Sequence, residues 1–196
     1  MIELKCYLKE RIFIMAKYIA HINPLNAEKI GCQPHGTAEF IENGDQLHIK
    51  VEMFDTPKNI EHWEHFHGFP DGKVAQAATM TQDVNHDGFV DLPETEPVSG
   101  TTMVPLDADP AKMNIPNNTY PVADSNGYYE YEIDVPLTEL QENFKKAFGS
   151  TDLQLDKRVV YVHESIKLPD TVKGCVMDYD THTTLPIAAG KIEKED

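Results

Sequence analysis

From Gln46 to Phe54 the chain alternates without interruption: Leu47, Ile49, Val51 and Met53 on one parity, Gln46, His48, Lys50 and Glu52 on the other. Side chains of an extended strand point alternately to its two faces, so one strand buries all four apolar residues together. A helix would scatter them around its circumference. Tyr128–Val135 repeats the pattern with Tyr129, Tyr131, Ile133 and Val135 on one side. Asn43-Gly44 and Asn126-Gly127 precede these runs as turn signals. Lys17–Ile22, Gly36–Phe40, Arg158–His163 and Leu185–Ile192 read as further strands. Helical spacing is confined to Leu137–Phe148, stopped by Gly149, and to a weak Ala-rich stretch, Lys73–Gln82. Short strands, turn signals and one or two short helices predict a mainly β fold, a β-sandwich with decorated loops.

The chain has 196 residues, enough for one domain, expected over residues 17–196. Residues 1–16 read as an N-terminal extension, poorly ordered or outside the native domain, with Met15 an alternative start. Its apolar run Ile12–Ala16 is too short for a secretory core, so the default address is cytoplasmic. No stretch approaches the ~18 apolar residues of a membrane span. The net charge of -16 argues against nucleic acid and anionic membranes and favours cations as partners. Cys6, Cys32 and Cys175 show neither a disulfide framework nor a zinc knuckle and are read as free thiols.

The stretch Asp83–Glu94 fits the EF-hand calcium loop at every constrained position. Asp83, Asn85 and Asp87 stand at positions one, three and five, Gly88 makes the sharp turn at six, and Phe89 offers its carbonyl at seven. Val90 is the apolar residue at eight, Asp91 at nine acts through water, and Glu94 at twelve can bind bidentately. Calcium wants about six to eight hard oxygens, and a tight loop aims alternate side chains inward to supply them. Pro93 and Pro97 argue against a long exiting helix, and there is no second loop to pair with. The expectation is a structural Ca2+ clip on a long inter-strand loop, not a sensor that opens a groove.

A second metal signal is His62-Trp63-Glu64-His65-Phe66-His67-Gly68-Phe69. On a strand His65 and His67 share a face and present two imidazoles to one copper or zinc ion. His62 has the opposite parity and joins as a fourth ligand only where the strand bulges. His163, in Arg158-Val-Val-Tyr-Val-His163-Glu164, is the distant third candidate. A His-x-His pair also arises by chance, and His21, His35, His48, His86 and His182 are read as ordinary polar or packing residues.

These pieces, in this order, resemble the copper/zinc superoxide dismutase superfamily. His65-Phe-His67 with Gly68-Phe69 is similar to its first copper strand, Arg158–Glu164 to the strand bearing its later copper histidine, and Leu185–Ile192 to its terminal strand. The resemblance implies a Greek-key β-barrel or sandwich with copper on His65, His67 and His163. The family's bridging and zinc ligands have no counterpart, because His86 is the one histidine between His67 and His163. The chain therefore resembles a divergent, bacterial-type member without the zinc site, whose calcium loop lies where the zinc loop would be. Thr184 stands at the place of the family's superoxide-guiding arginine, and Ala189 at that of its disulfide cysteine.

Three functions fit these observations. A copper centre with an open position would dismutate superoxide. The same centre without turnover would store or pass on copper, or hold zinc. A purely structural domain would keep the histidines as core residues and use calcium for stability. The missing arginine and the net charge weigh against fast dismutation, and a homodimer is left open.

Overall fold

The computed structural model describes residues 15–115, 118–164 and 185–195. Most of the predicted extension, with Cys6, Cys175, His182 and Thr184, lies outside these residues. The predicted strands form as β1 (Ala16–Pro24), β2 (His35–Asn43), β3 (Gln46–Phe54), β4 (Glu64–Gly68), β6 (Tyr129–Pro136), β7 (Val159–His163) and β8 (Pro186–Lys194). The sequence reading did not include β5 (Thr101–Pro105). All pairings are antiparallel. They make one eight-stranded sheet in the order β5-β4-β7-β8-β1-β2-β3-β6.

The alternation in β3 does what it predicts: Leu47, Ile49, Val51 and Met53 are fully buried. Asn43 pairs with Gln46 across a turn in which Gly44 takes φ 66°, backbone that favours glycine. The sheet is curled. Phe40 on β2 and Phe66 on β4 lie four strands apart, about 19 Å in a flat sheet, yet their rings meet edge to face at 6.4 Å. The two halves of the sheet thus face each other across one core, to which Phe40, Ile49, Phe66, Val160, Val162 and Ile187 all contribute.

The edge strands β5 and β6 are drawn together by side chains. Tyr129 Oη on β6 donates to Glu64 Oε2 on β4 at 2.8 Å, and Tyr131 Oη donates to the Asp107 carbonyl beyond β5 at 2.8 Å. The exposed face of β6 carries Glu130, Glu132 and Asp134, charges that blunt pairing with another chain.

Besides a single turn, α1 (Ala27–Ile30), the described residues form two α-helices. The expected α3 (Leu137–Phe148) buries Leu140 and Phe144 and ends at Gly149, φ 83°. An unexpected α2 (Leu92–Ser99) follows the acidic loop. Pro93 is compatible with it because it sits in the first turn, where backbone N–H groups have no intrahelical partner. Asp91 and Glu94 complete a reciprocal capping box there. Lys73–Gln82, by contrast, is not a helix; only Met80–Gln82 forms a short 3-10 turn. The N–H groups of Ala75, Gln76 and Ala78 go instead to the Lys157 carbonyl, the Val98 carbonyl and Tyr161 Oη. These bonds lay the segment flat on the outer face of the sheet. Ala75, Ala78 and Val90 there make a second small core with Val159, Tyr161 and Ala189.

Candidate metal centre

The pairing of β4 with β7 sets Glu64 opposite Val162 and His65 opposite Tyr161. Cross-strand partners share a face, so His65, His67, Tyr161 and His163 all project to the outer side, away from Phe66, Val160 and Val162. The His163 amide donates to the Trp63 carbonyl at 2.7 Å, fixing the end of β7 beside the start of β4. Register shifts fall between Phe66 and His67 in the β4–β5 ladder and between Val162 and His163 in the β7–β8 ladder. Such irregularities re-aim side chains next to functional sites.

His65, His67 and His163 thereby converge. Each offers a ring nitrogen, and these three atoms lie within 4.8 Å of one another. No other group of three His, Cys, Asp or Glu among the described residues does so. All three are at most 3% exposed. This constellation could hold a metal ion.

The outer ring nitrogens are held in place. His65 Nε2 meets Tyr120 Oη at 3.0 Å, and His67 Nε2 meets Thr102 Oγ1 at 3.2 Å. The Gly100 backbone also engages the His67 ring. Gly100 can come so close because it has no side chain: a Cβ there would stand 2.2 Å from the Gly68 carbonyl oxygen. His65 Nδ1 and His67 Nδ1 are buried without a hydrogen-bond partner. A buried polar atom of this kind is costly unless something satisfies it. Burial, and then the neighbouring histidines, push the pKa of His67 down to about 3 and that of His65 well below its ordinary value. The rings are therefore neutral, the form that offers a lone pair to a metal.

His62 does not join them. Its Nδ1 faces the His163 carbonyl at 3.1 Å and its Nε2 the Pro57 carbonyl at 2.9 Å, while its ring stacks on Tyr129. Its parity sends it to the other side of β4, and the irregularity comes after it, at His67. His35 stacks on Phe54 and His48 meets Asp134, as ordinary surface histidines do. Cys32 is a free thiol. Glu64, fully buried beneath the centre on the inner face, has its pKa pushed up to about 8 by burial.

The acidic loop is folded around its own backbone. Asp83 accepts from the Asp87 and Gly88 amides, Asn85 from the Asp87 amide, and Asp87 from the Phe89 amide. Glu94 accepts from the Val84 and Asn85 amides through Oε1 and from Asp91 through Oε2. Burial, with Glu94, Asp87 and Asp83 close by, raises the pKa of Asp91 to about 6. The side chains at positions one, three, five and twelve thus turn inward, and Gly88 takes φ 88° at the sharp turn. The buried amide of Asn26 holds the loop to the sheet: Oδ1 accepts from Val90 N at 2.8 Å, and Nδ2 donates to the Val90 and Pro186 carbonyls at 2.9 and 2.8 Å. Asn26→Ala leaves these groups unpaired and places alanine at φ 59°. It is expected to lower unfolding free energy by about 1–3 kcal/mol in urea titrations; an unchanged midpoint would show that the clamp contributes nothing.

Sequence reasoning passed over Tyr120, Thr102, Tyr161 and Asn26. Tyr161 Oη receives the Ala78 amide and contacts Ser99 Oγ, and its ring lies 4.7 Å from that of His67. Two tyrosines, a threonine and an asparagine at scattered positions carry no spacing signal; only pairing brings them to the histidines and the loop. Fold and site together define a mainly β protein with a buried three-histidine constellation that could hold a metal ion. No protein-family model and no curated protein matches the chain. No helix among the described residues is long and apolar enough to cross a membrane.

Proposed function

We propose that this is a metal-binding barrel of the copper/zinc superoxide dismutase type, with a copper-class ion on His65, His67 and His163 and a structural calcium ion in Asp83–Glu94. The observation that carries the reading is the convergence of three buried imidazoles, two with orphaned Nδ1 atoms. Strand order supports the family reading: joining the edges β5 and β6 would give the sequence 7-4-5-6 of a Greek key. Copper, when bound, supplies one-electron cycling between Cu(II) and Cu(I), the chemistry superoxide dismutation needs. The chain's own part is to orient the rings through Tyr120 and Thr102 and to keep water from them.

Metal analysis of the purified protein tests this reading. One equivalent of copper or zinc per chain, lost in His65→Ala, is expected; neither metal after loading would rule it out. A second reading is that the centre holds or passes on its ion without turnover. The burial of all three rings favours it, because a dissolved substrate has little surface at which to meet the ion. Dismutase assay of the copper-loaded protein separates the two.

For the calcium loop, inward oxygens at the ligand positions and the glycine turn support occupancy by Ca2+. Calcium at a hundredfold excess over its Kd is expected to raise the melting temperature by about 5–10 °C for a domain of this size. Scanning calorimetry with and without a calcium-selective chelator measures it, and coincident transitions would remove calcium from the proposal.

A further inference from the structure

His65, His67 and His163 are at most 3% exposed, which leaves a dissolved substrate little surface at which to meet an ion among them. An electron needs no such surface, because it can cross a short stretch of packed aromatic rings. One such stretch leads outward from His65. The Ala123 amide donates to the Ile60 carbonyl at 3.0 Å, Glu61 bridges to Val122, and the His62 amide donates to the Pro121 carbonyl at 2.9 Å. One further step of this antiparallel register sets Tyr120 opposite Trp63, as a cross-strand aromatic pair. Their ring centroids are 5.2 Å apart, with 23° between the planes. Tyr120 Oη lies 3.0 Å from His65 Nε2, and the two rings are 5.4 Å apart. The Tyr120 amide donates to Glu61 Oε1 at 3.0 Å, and the Trp63 carbonyl accepts from the His163 amide at 2.7 Å, so the backbone on each side of the stack is anchored. Tyr120 is buried and Trp63 is partly exposed. The rings therefore run in line from the surface to the cluster.

We propose that Trp63 and Tyr120 form an electron route between the protein surface and the three-histidine centre, serving a positively charged one-electron donor. The inference rests on the proposed copper reading of the histidines and deepens it, naming the class of donor and the side chain at which its electron enters. The net charge of -16 favours a cationic donor. One electron leaves the donor, which is oxidised, and passes through the two rings and His65 to Cu(II), which is reduced to Cu(I). No covalent bond forms or breaks, and no atom crosses the protein. The anchored backbone keeps the path the same before and after the transfer.

Two measurements on the full chain test the route. In the metal-free protein, azide radicals made by pulse radiolysis take one electron from Trp63, becoming azide, and the indole proton goes to water. Tyr120 then returns an electron to the indolyl radical, which recovers a proton from water, while the phenol gives up its own proton through the hydrogen bond to His65 Nε2. The chain has one tryptophan and eight tyrosines, so decay of the indolyl signal belongs to Trp63, and Tyr120→Phe identifies the receiving tyrosine. Phenoxyl absorption is expected to grow as the indolyl signal decays, at a rate independent of protein concentration, and to lose this phase in Tyr120→Phe. In the copper-loaded protein, reduction by hexaammineruthenium(II), a cationic donor that exchanges electrons without binding the ion, is followed by stopped flow. Trp63→Leu and Tyr120→Phe are each expected to slow it about tenfold, with the paramagnetic resonance spectrum of bound Cu(II) unchanged. A stack that only packs would leave Tyr120→Phe, which keeps the ring, at the wild-type rate. Wild-type rates in both variants overturn the route and leave the copper centre standing, and so does an indolyl radical that decays without phenoxyl growth. Failure of the wild type to take up copper overturns the metal reading, and with it the electron's destination.

Discussion

His163→Ala is expected to weaken copper or zinc binding about 100- to 1,000-fold. A structural zinc site with four ligands is worth about 10–16 kcal/mol in apparent binding free energy, so one ligand accounts for about 3 kcal/mol. His163 is the sharpest choice because it is the ligand candidate furthest in sequence from the other two. Its ring centroid lies 5.5 Å from that of His65 and 6.1 Å from that of His67. The chain contains a single tryptophan, Trp63, whose ring is 6.3 Å from that of His65. Its fluorescence therefore reports ion binding directly, and a competition titration gives the affinity. His21→Ala, on β1 two strands from β7 and outside the cluster, is the control. Equal affinities for wild type and His163→Ala would show that the convergence of the rings has no role in binding.

The second large effect is the pH dependence of stability in the metal-free protein. His67 has a folded-state pKa of about 3, well below its ordinary value of 6.5. The unfolded chain therefore binds a proton that the fold excludes between these values, and stability falls as pH falls through that window. At pH 4 this single group costs about 3 kcal/mol relative to neutral pH, and His65 acts in the same sense. Glu64 acts oppositely. Its folded pKa of about 8 lies above the ordinary 4.5, so its contribution is fully present below 4.5 and is lost as pH rises towards 8. At pH 7 ionisation of the unfolded chain has removed about 3 kcal/mol through this group. The metal-free protein is thus expected to gain stability on mild acidification from pH 8, and to lose it steeply below about pH 4.5, where, of Glu64, His65 and His67, only the histidines still titrate. Glu64→Gln retains an acceptor for Tyr129 Oη and is expected to stabilise the fold at pH 7 while leaving the acid limb intact. Urea unfolding at a series of pH values measures both limbs; a flat profile below pH 6, or a Glu64→Gln protein less stable at pH 7, would contradict these assignments.

Much of the fold was legible because strand formation here is a local matter. The four apolar residues of β3, the turn at Gly44 and the face of α3 follow from period and turn chemistry alone. β5 was missed because Thr101–Pro105 is short and ends in proline, and it becomes a strand through pairing with β4. The false helix at Lys73–Gln82 and the unexpected α2 have one cause. In each, long-range or capping hydrogen bonds decide the backbone, and alanine or proline content only sets a weak preference.

The sequence by itself determined that this chain forms antiparallel strands, that His65 and His67 share a face, and that Asp83–Glu94 has the residues of a calcium loop. Each follows from neighbours within a dozen residues. Only the tertiary structure decided that His163 joins the pair, that His62 stays apart, and that Tyr120, Thr102 and Tyr161 surround the rings. Those facts depend on register. A shift of one residue between β4 and β7 would turn His163 to the inner face with Val160 and Val162, and register is set by burial across the whole sheet.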